Sequence, residues 1–160
     1  MSDTLGELLD KLKNGDAPAR YLAANKIGKL GDKSAVDHLL TALRDQDMMV
    51  ADNIIFALGE LGDQKAVHAL VRLLRVGSHE KLRKSAAKAL GMLGSKDAVD
   101  PLIAALSDPD YKVRKSAARS LGKIGDPRAI PALGKAAEDS DYNVSKHAKE
   151  ALDKLQAIHI

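Results

Sequence analysis

Seven cations stand at helical spacing in the second half of the chain: Lys81, Lys84 and Lys88, then Lys112, Lys115, Arg119 and Lys123. Steps of three and four residues put each set on one helical face, where Glu80 is the only acidic neighbour. A same-sign stripe of this kind either is a solvated surface or binds an acidic partner, which would relieve its repulsion. The first half offers the opposite chemistry. Met48, Met49 and Phe56, the single Phe, occupy positions that are charged or polar further along, and Leu22 and Met92 extend the apolar set. Such residues either fill a wide gap between helices or form an exposed patch, where Met is an adaptable contact. Tyr21, Asn25, Asp52, Asn53, Tyr111, Tyr142, Lys146 and His147 flank the two groups.

Signals for catalysis are sparse. His38, His68, His79, His147 and His159 stand singly, without the i, i+4 partner typical of a zinc site. Ser85 and Ser116 recur in one slot but have no adjacent His, and there is no Cys to act as nucleophile, disulfide or thiolate ligand. The expectation is a protein that is not an enzyme, with no catalytic residue, no metal and no cofactor.

The elements that must position these residues repeat. Gly28/Gly31, Gly59/Gly62, Gly91/Gly94 and Gly122/Gly125 return every 31 or 32 residues, a period that marks a repeat architecture. Each unit reads as two helices. The first carries an apolar stripe such as Ala98, Val99, Leu102, Ile103 and Leu106; the second carries one such as Val113, Ala117, Leu121 and Ile124. Asp32, Asp63, Ser95 and Asp126 are placed to cap the first helix, and Asp47, Asp110 and Asp141 the second. The second glycine of each pair suits the left-handed end of a helix. The first falls inside a helix, where it needs a packing reason such as a close crossing. Pro101 and Pro131 are expected to bend the first helices of their units.

The predicted fold is therefore all-α: a solenoid of about five stacked two-helix units, forming one domain over residues 1–160. A first-helix cap at 3–14 is followed by units at 17–45, 47–76, 79–107 and 110–138, then a terminal second helix at 142–157. With 45% apolar and only 2% aromatic residues, its core must be built from Ala, Leu, Ile and Val. Residues 1–80 carry 10 Lys/Arg against 12 Asp/Glu, and residues 81–160 carry 15 against 10, so the net charge of +3 is concentrated in the second half. No apolar run approaches the ~18–20 residues that span a bilayer, and the first residues show no signal segment. A cytoplasmic protein without membrane contact is expected.

The pattern Asp110-x-x-Val113-Arg114-x-x-Ala117-Ala118-x-x-Leu121-Gly122-x-Ile124-Gly125-Asp126 resembles the HEAT-like repeat of the phycobilisome-lyase type. The resemblance covers nearly the whole chain and is strongest over 81–133. It implies a right-handed α-solenoid whose second helices line the concave, ligand-facing side. It also implies a ladder in which Arg20, Arg83 and Arg114 bond turn aspartates, interrupted where Ala51 and Ser145 replace Arg. His79-Glu80 is similar to the iron-binding His-Glu pairs of a HEAT-repeat hydroxylase, although here it precedes the second helix and occurs once. On this basis the concave groove is expected to bind another protein with acidic and apolar segments. The alternatives are a bilin lyase-like or chaperone-like subunit acting on a tetrapyrrole protein, and a basic nucleic-acid-binding module.

Overall fold

The computed structural model describes residues 2–158; Met1, His159 and Ile160, and with them one of the single histidines, lie outside the described residues. Ten α-helices are found among them: α1 (Leu5–Asn14), α2 (Ala17–Leu30), α3 (Val36–Ala42), α4 (Met48–Leu61), α5 (Val67–Val76), α6 (Glu80–Leu93), α7 (Val99–Ala105), α8 (Tyr111–Ile124), α9 (Ile130–Ala136) and α10 (Tyr142–Ile158). Odd-numbered helices carry the first of the two apolar patterns and even-numbered ones the second, and each unit from residue 17 on runs second helix, then first. The protein is an α-solenoid.

The punctuation follows from side-chain chemistry. Gly31, Gly62, Gly94 and Gly125 close α2, α4, α6 and α8 with φ between +66° and +75°, a region that favours glycine. Asp32, Asp63, Ser95 and Asp126 then each accept an N–H two residues on. They cap a single 3-10 turn rather than the α-helix itself, because α3, α5, α7 and α9 all begin after such a turn. This corrects the expectation for the prolines. Pro101 and Pro131 stand in the first turn of α7 and α9, where the N–H that proline lacks has no partner in the helix, so no bend is required. Asp47, Asp110 and Asp141 cap α4, α8 and α10 through backbone N–H groups two and three residues on.

The glycines inside the second helices mark their crossings. A Cβ on Gly28 would lie 3.0 Å from Ala57 Cα, one on Gly59 3.3 Å from Ala89 Cα, and one on Gly122 3.2 Å from Ala151 Cα. Small residues thus bring α2, α4, α6, α8 and α10 into one closely packed layer, while the first helices touch one another lightly. Packing is therefore tighter in the layer of second helices than in the layer of first helices. Buried Leu, Ile, Val and Ala form a continuous core from Leu8 to Leu155.

An arginine ladder ties the unit ends together. Arg20 grips Asp45 at 2.6 and 2.9 Å, Arg83 grips Asp108 at 2.9 and 3.0 Å, and Arg114 grips Asp139 at 2.8 and 3.2 Å. Each guanidinium also donates to a turn carbonyl, of Gly15, Gly77 or Asp108, and each aspartate accepts the N–H of the cap two residues on. The charge-assisted bonds from Arg20 and Arg114 hold the carboxyls of Asp45 and Asp139 below the usual carboxylate range. At Asp108 burial pushes upward, and the bond from Arg83 leads the opposing effects that leave the carboxyl lowered. The ladder breaks at unit two, where Ala51 is buried in place of the arginine and Gly77 stands in place of the aspartate.

Candidate functional site

The layer of second helices contains a cleft of about 210 Å³ between α4 and α6, reached also by Tyr21 of α2. Apolar side chains on its walls come from Tyr21, Met49, Phe56, Ala89 and Met92; the polar ones are Asp52, Asn53, Ser85, Lys84 and Lys88. Phe56 is 44% exposed and Met49 60%, so these residues face the groove and do not fill a gap in the core.

Local structure explains how each is held. Met92 lies over Gly59, whose missing side chain leaves room for its sulfur. Asn53 is nearly buried at the base, and its amide donates to the carbonyl oxygen of Tyr21 at 2.8 Å, fixing α2 against α4. Asp52 accepts a hydrogen bond from the Ser85 hydroxyl and lies 3.6 Å from Lys81 Nζ. Lys81 is thereby partly neutralised. Lys84 and Lys88 have no ion pair among the described residues and supply the positive charge of the cleft.

The cleft gathers Tyr21, Met49, Asp52, Asn53, Phe56, Lys84, Lys88 and Met92 from the residues singled out by sequence. It does not include Leu22, Asn25 or Met48, although Leu22 is exposed and Met48 borderline. Lys112 sits with its ammonium 5.9 Å from the centre of the Tyr111 ring. Arg119, Lys123 and His147 line a smaller hollow of about 140 Å³ between α8 and α10, joined by Glu150 and Lys154; His147 Nδ1 is 2.9 Å from Glu150. Lys115 is half-buried, and Tyr142 and Lys146 are exposed. His79 caps α6, its Nδ1 accepting the Lys81 N–H at 3.3 Å. The Ser85–Asp52 bond joins neighbouring units, and its one trace in the sequence is the recurrence of Ser85 and Ser116 in the same slot.

Residues 5–91 and 74–153 match the family described as HEAT repeats. The chain belongs to the HEAT-repeat family. This HEAT-repeat chain is 51% identical over 98 residues to the phycocyanobilin lyase subunit alpha of Picosynechococcus sp., a match covering 60% of this chain and 27% of that protein. It is 29% identical over 93 residues to the deoxyhypusine hydroxylase of Gallus gallus, covering 58% and 31% respectively. Among solved structures, the complex of CpcE and CpcF of phycocyanin lyase from Nostoc sp. PCC7120 superposes with a TM-score of 0.85 at 29% identity, covering 98% of this chain and 66% of that one. The chain spans about a third of the length of the curated relatives it matches.

These relatives overturn the expectation of a protein that is not an enzyme: they are lyase subunits and hydroxylases. No helix among the described residues is long and apolar enough to cross a membrane.

Proposed function

We propose that this chain works as a bilin lyase-type subunit, or as part of one, and that the cleft between α4 and α6 receives the tetrapyrrole. The observation that carries the reading is the pairing of Met49, Phe56 and Met92 with Lys84 and Lys88 around one cleft. A linear tetrapyrrole has an extended apolar ring system and two propionate carboxylates. Apolar walls would cover the rings, and the two ammonium groups would pair with the carboxylates. This sequence contains no cysteine, so its own side chains offer no thiol for covalent attachment. Its role would be to hold and present the bilin to an acceptor protein.

The basic residues beyond the cleft fit that acceptor. Lys115, Arg119 and Lys123 continue the positive face along α8, where an acidic segment of the acceptor would lie, with apolar contacts made at the cleft. The likeness to a lyase subunit and to a chain solved within a two-protein lyase complex supports both parts of the reading.

Titration of the full chain with phycocyanobilin, followed by visible absorbance and circular dichroism, tests this. The expected result is a saturable band shift. Phe56→Ala should weaken it at every salt concentration, and Lys84→Glu with Lys88→Glu should weaken it and flatten its salt dependence. No spectral change with the unaltered chain, or equal titrations for all variants, would overturn the proposal.

A further inference from the structure

We propose that the outer groove between α3 and α5 seats an acidic amphipathic helix of a partner protein. The groove holds about 470 Å³ on the side opposite the bilin cleft. Its apolar surface comes from Leu40 and Leu43 on one side and Leu73 and Val76 on the other, with Arg44 and Arg72 beside them. Val76 is 71% exposed and lies in one lining with Leu40, Leu43 and Leu73, and such a grouping, unlike a single exposed apolar residue, marks an interaction surface.

The break in the ladder produces this surface. In the neighbouring units the turn after the first helix carries an aspartate held by arginine, as at Asp45 and Asp108. Unit two has Gly77 there, and α5 runs on to Val76, whereas α3, α7 and α9 end after seven residues.

Charge identifies the occupant. Arg44 and Arg72 make no ion pair among the described residues. The equivalent gap between α7 and α9 provides the contrast. There Arg128 lies 3.0 Å from Asp126 and 3.5 Å from Asp100, and Asp139 is held by Arg114. That gap leaves one lysine, Lys135, without an ion pair among the described residues, whereas beside α3 and α5, where Lys65 meets Asp37 at 3.5 Å, two guanidinium groups stand unpaired next to an apolar floor. A carboxylate-bearing partner meets both features. The groove runs between two helices, the longer about 15 Å in length, which suits a helix of about three turns laid into it.

The test uses the full chain and a labelled helical peptide with leucines at i, i+4 and i+7 flanked by glutamates, read by fluorescence anisotropy and amide chemical shifts. Saturable binding with shifts on α3 and α5 is expected. Arg44→Glu with Arg72→Glu should weaken it about tenfold or more, and a peptide with lysines in place of the glutamates should not bind. Lys84→Glu with Lys88→Glu should leave this binding unchanged, which separates it from the bilin cleft. Absence of binding, shifts confined to α4 and α6, or equal affinity for the Arg variant would each overturn the proposal. So would self-association of the chain that Val76→Asp abolishes, since a second copy would then be the occupant.

Discussion

Ser120 fills the space that Gly91 leaves open. Its hydroxyl donates to the Ala87 carbonyl at 2.7 Å, and a Cβ on Gly91 would fall 2.7 Å from Ser120 Cβ and 3.0 Å from its Cα. Gly91→Ala should therefore force α6 and α8 apart and cost about 1–3 kcal/mol. Gly134→Ala is the control, because nothing lies within 4 Å of a Cβ there. In the exposed interior of α9 it should stabilise by about 0.5–1 kcal/mol. Urea denaturation of the two variants measures the difference.

Core and groove residues should separate cleanly. Leu90 is fully buried, so Leu90→Ala should cost about 2–5 kcal/mol. Phe56 is large but exposed to the groove, and Phe56→Ala should change stability by no more than about 0.5 kcal/mol while weakening bilin binding. A large thermal destabilisation by Phe56→Ala would place it in the core and remove the aromatic wall of the cleft.

The ladder should resist conservative replacement. Arg83 makes two bonds to Asp108 and one to the Gly77 carbonyl. Arg83→Ala leaves a largely buried carboxylate without its partner and should cost about 1–3 kcal/mol. Arg83→Lys should recover only part of this, because an ammonium cannot reproduce the planar fork. Comparison of the urea midpoints of the three proteins decides it.

Acid should weaken the stack through the same pairs. The carboxyls of Asp45 and Asp139 titrate below the usual range because Arg20 and Arg114 hydrogen-bond to them. A lowered folded-state value contributes stability that is fully present above the unfolded value of about 4 and is lost as pH falls through the folded value. Melting temperature should therefore decline below about pH 4, and Asp139→Asn should flatten that decline. An unchanged acid slope in the variant would mean that the ladder is not its source.

Whatever repeats was legible in the sequence. The glycine period, the capping aspartates and the buried Ala and Leu of the second helices each report a local requirement that recurs in register. The three ladder arginines were recognised through resemblance, and their pairs are present at the units where Arg stands. What was not legible depends on how units meet. Pro101 and Pro131 look like bends in the sequence because the Asp or Ser cap before them does not say whether a 3-10 turn or the α-helix itself follows. Asn53 lines the cleft, but its position in the sequence does not reveal that its amide also ties α4 to the Tyr21 carbonyl of α2. Phe56 and Met49 could have been core or surface by composition alone; the crossing of α4 and α6 puts them in the open. Val76, Arg44 and Arg72 are far apart in sequence, and their grouping arises only when α3 and α5 stand side by side.

The two layers of the stack also differ as a mechanical structure. The second helices are locked together at glycine and alanine contacts and act as a stiff inner strip. The first helices stand apart, with open gaps at α3–α5 and α7–α9. In a body built this way, closing the outer gaps would shorten the outer side alone, and wedging them open would lengthen it. A molecule seated between α3 and α5 would thus tilt the outer helices about that strip, with contacts such as Gly59 against Ala89 as the pivot.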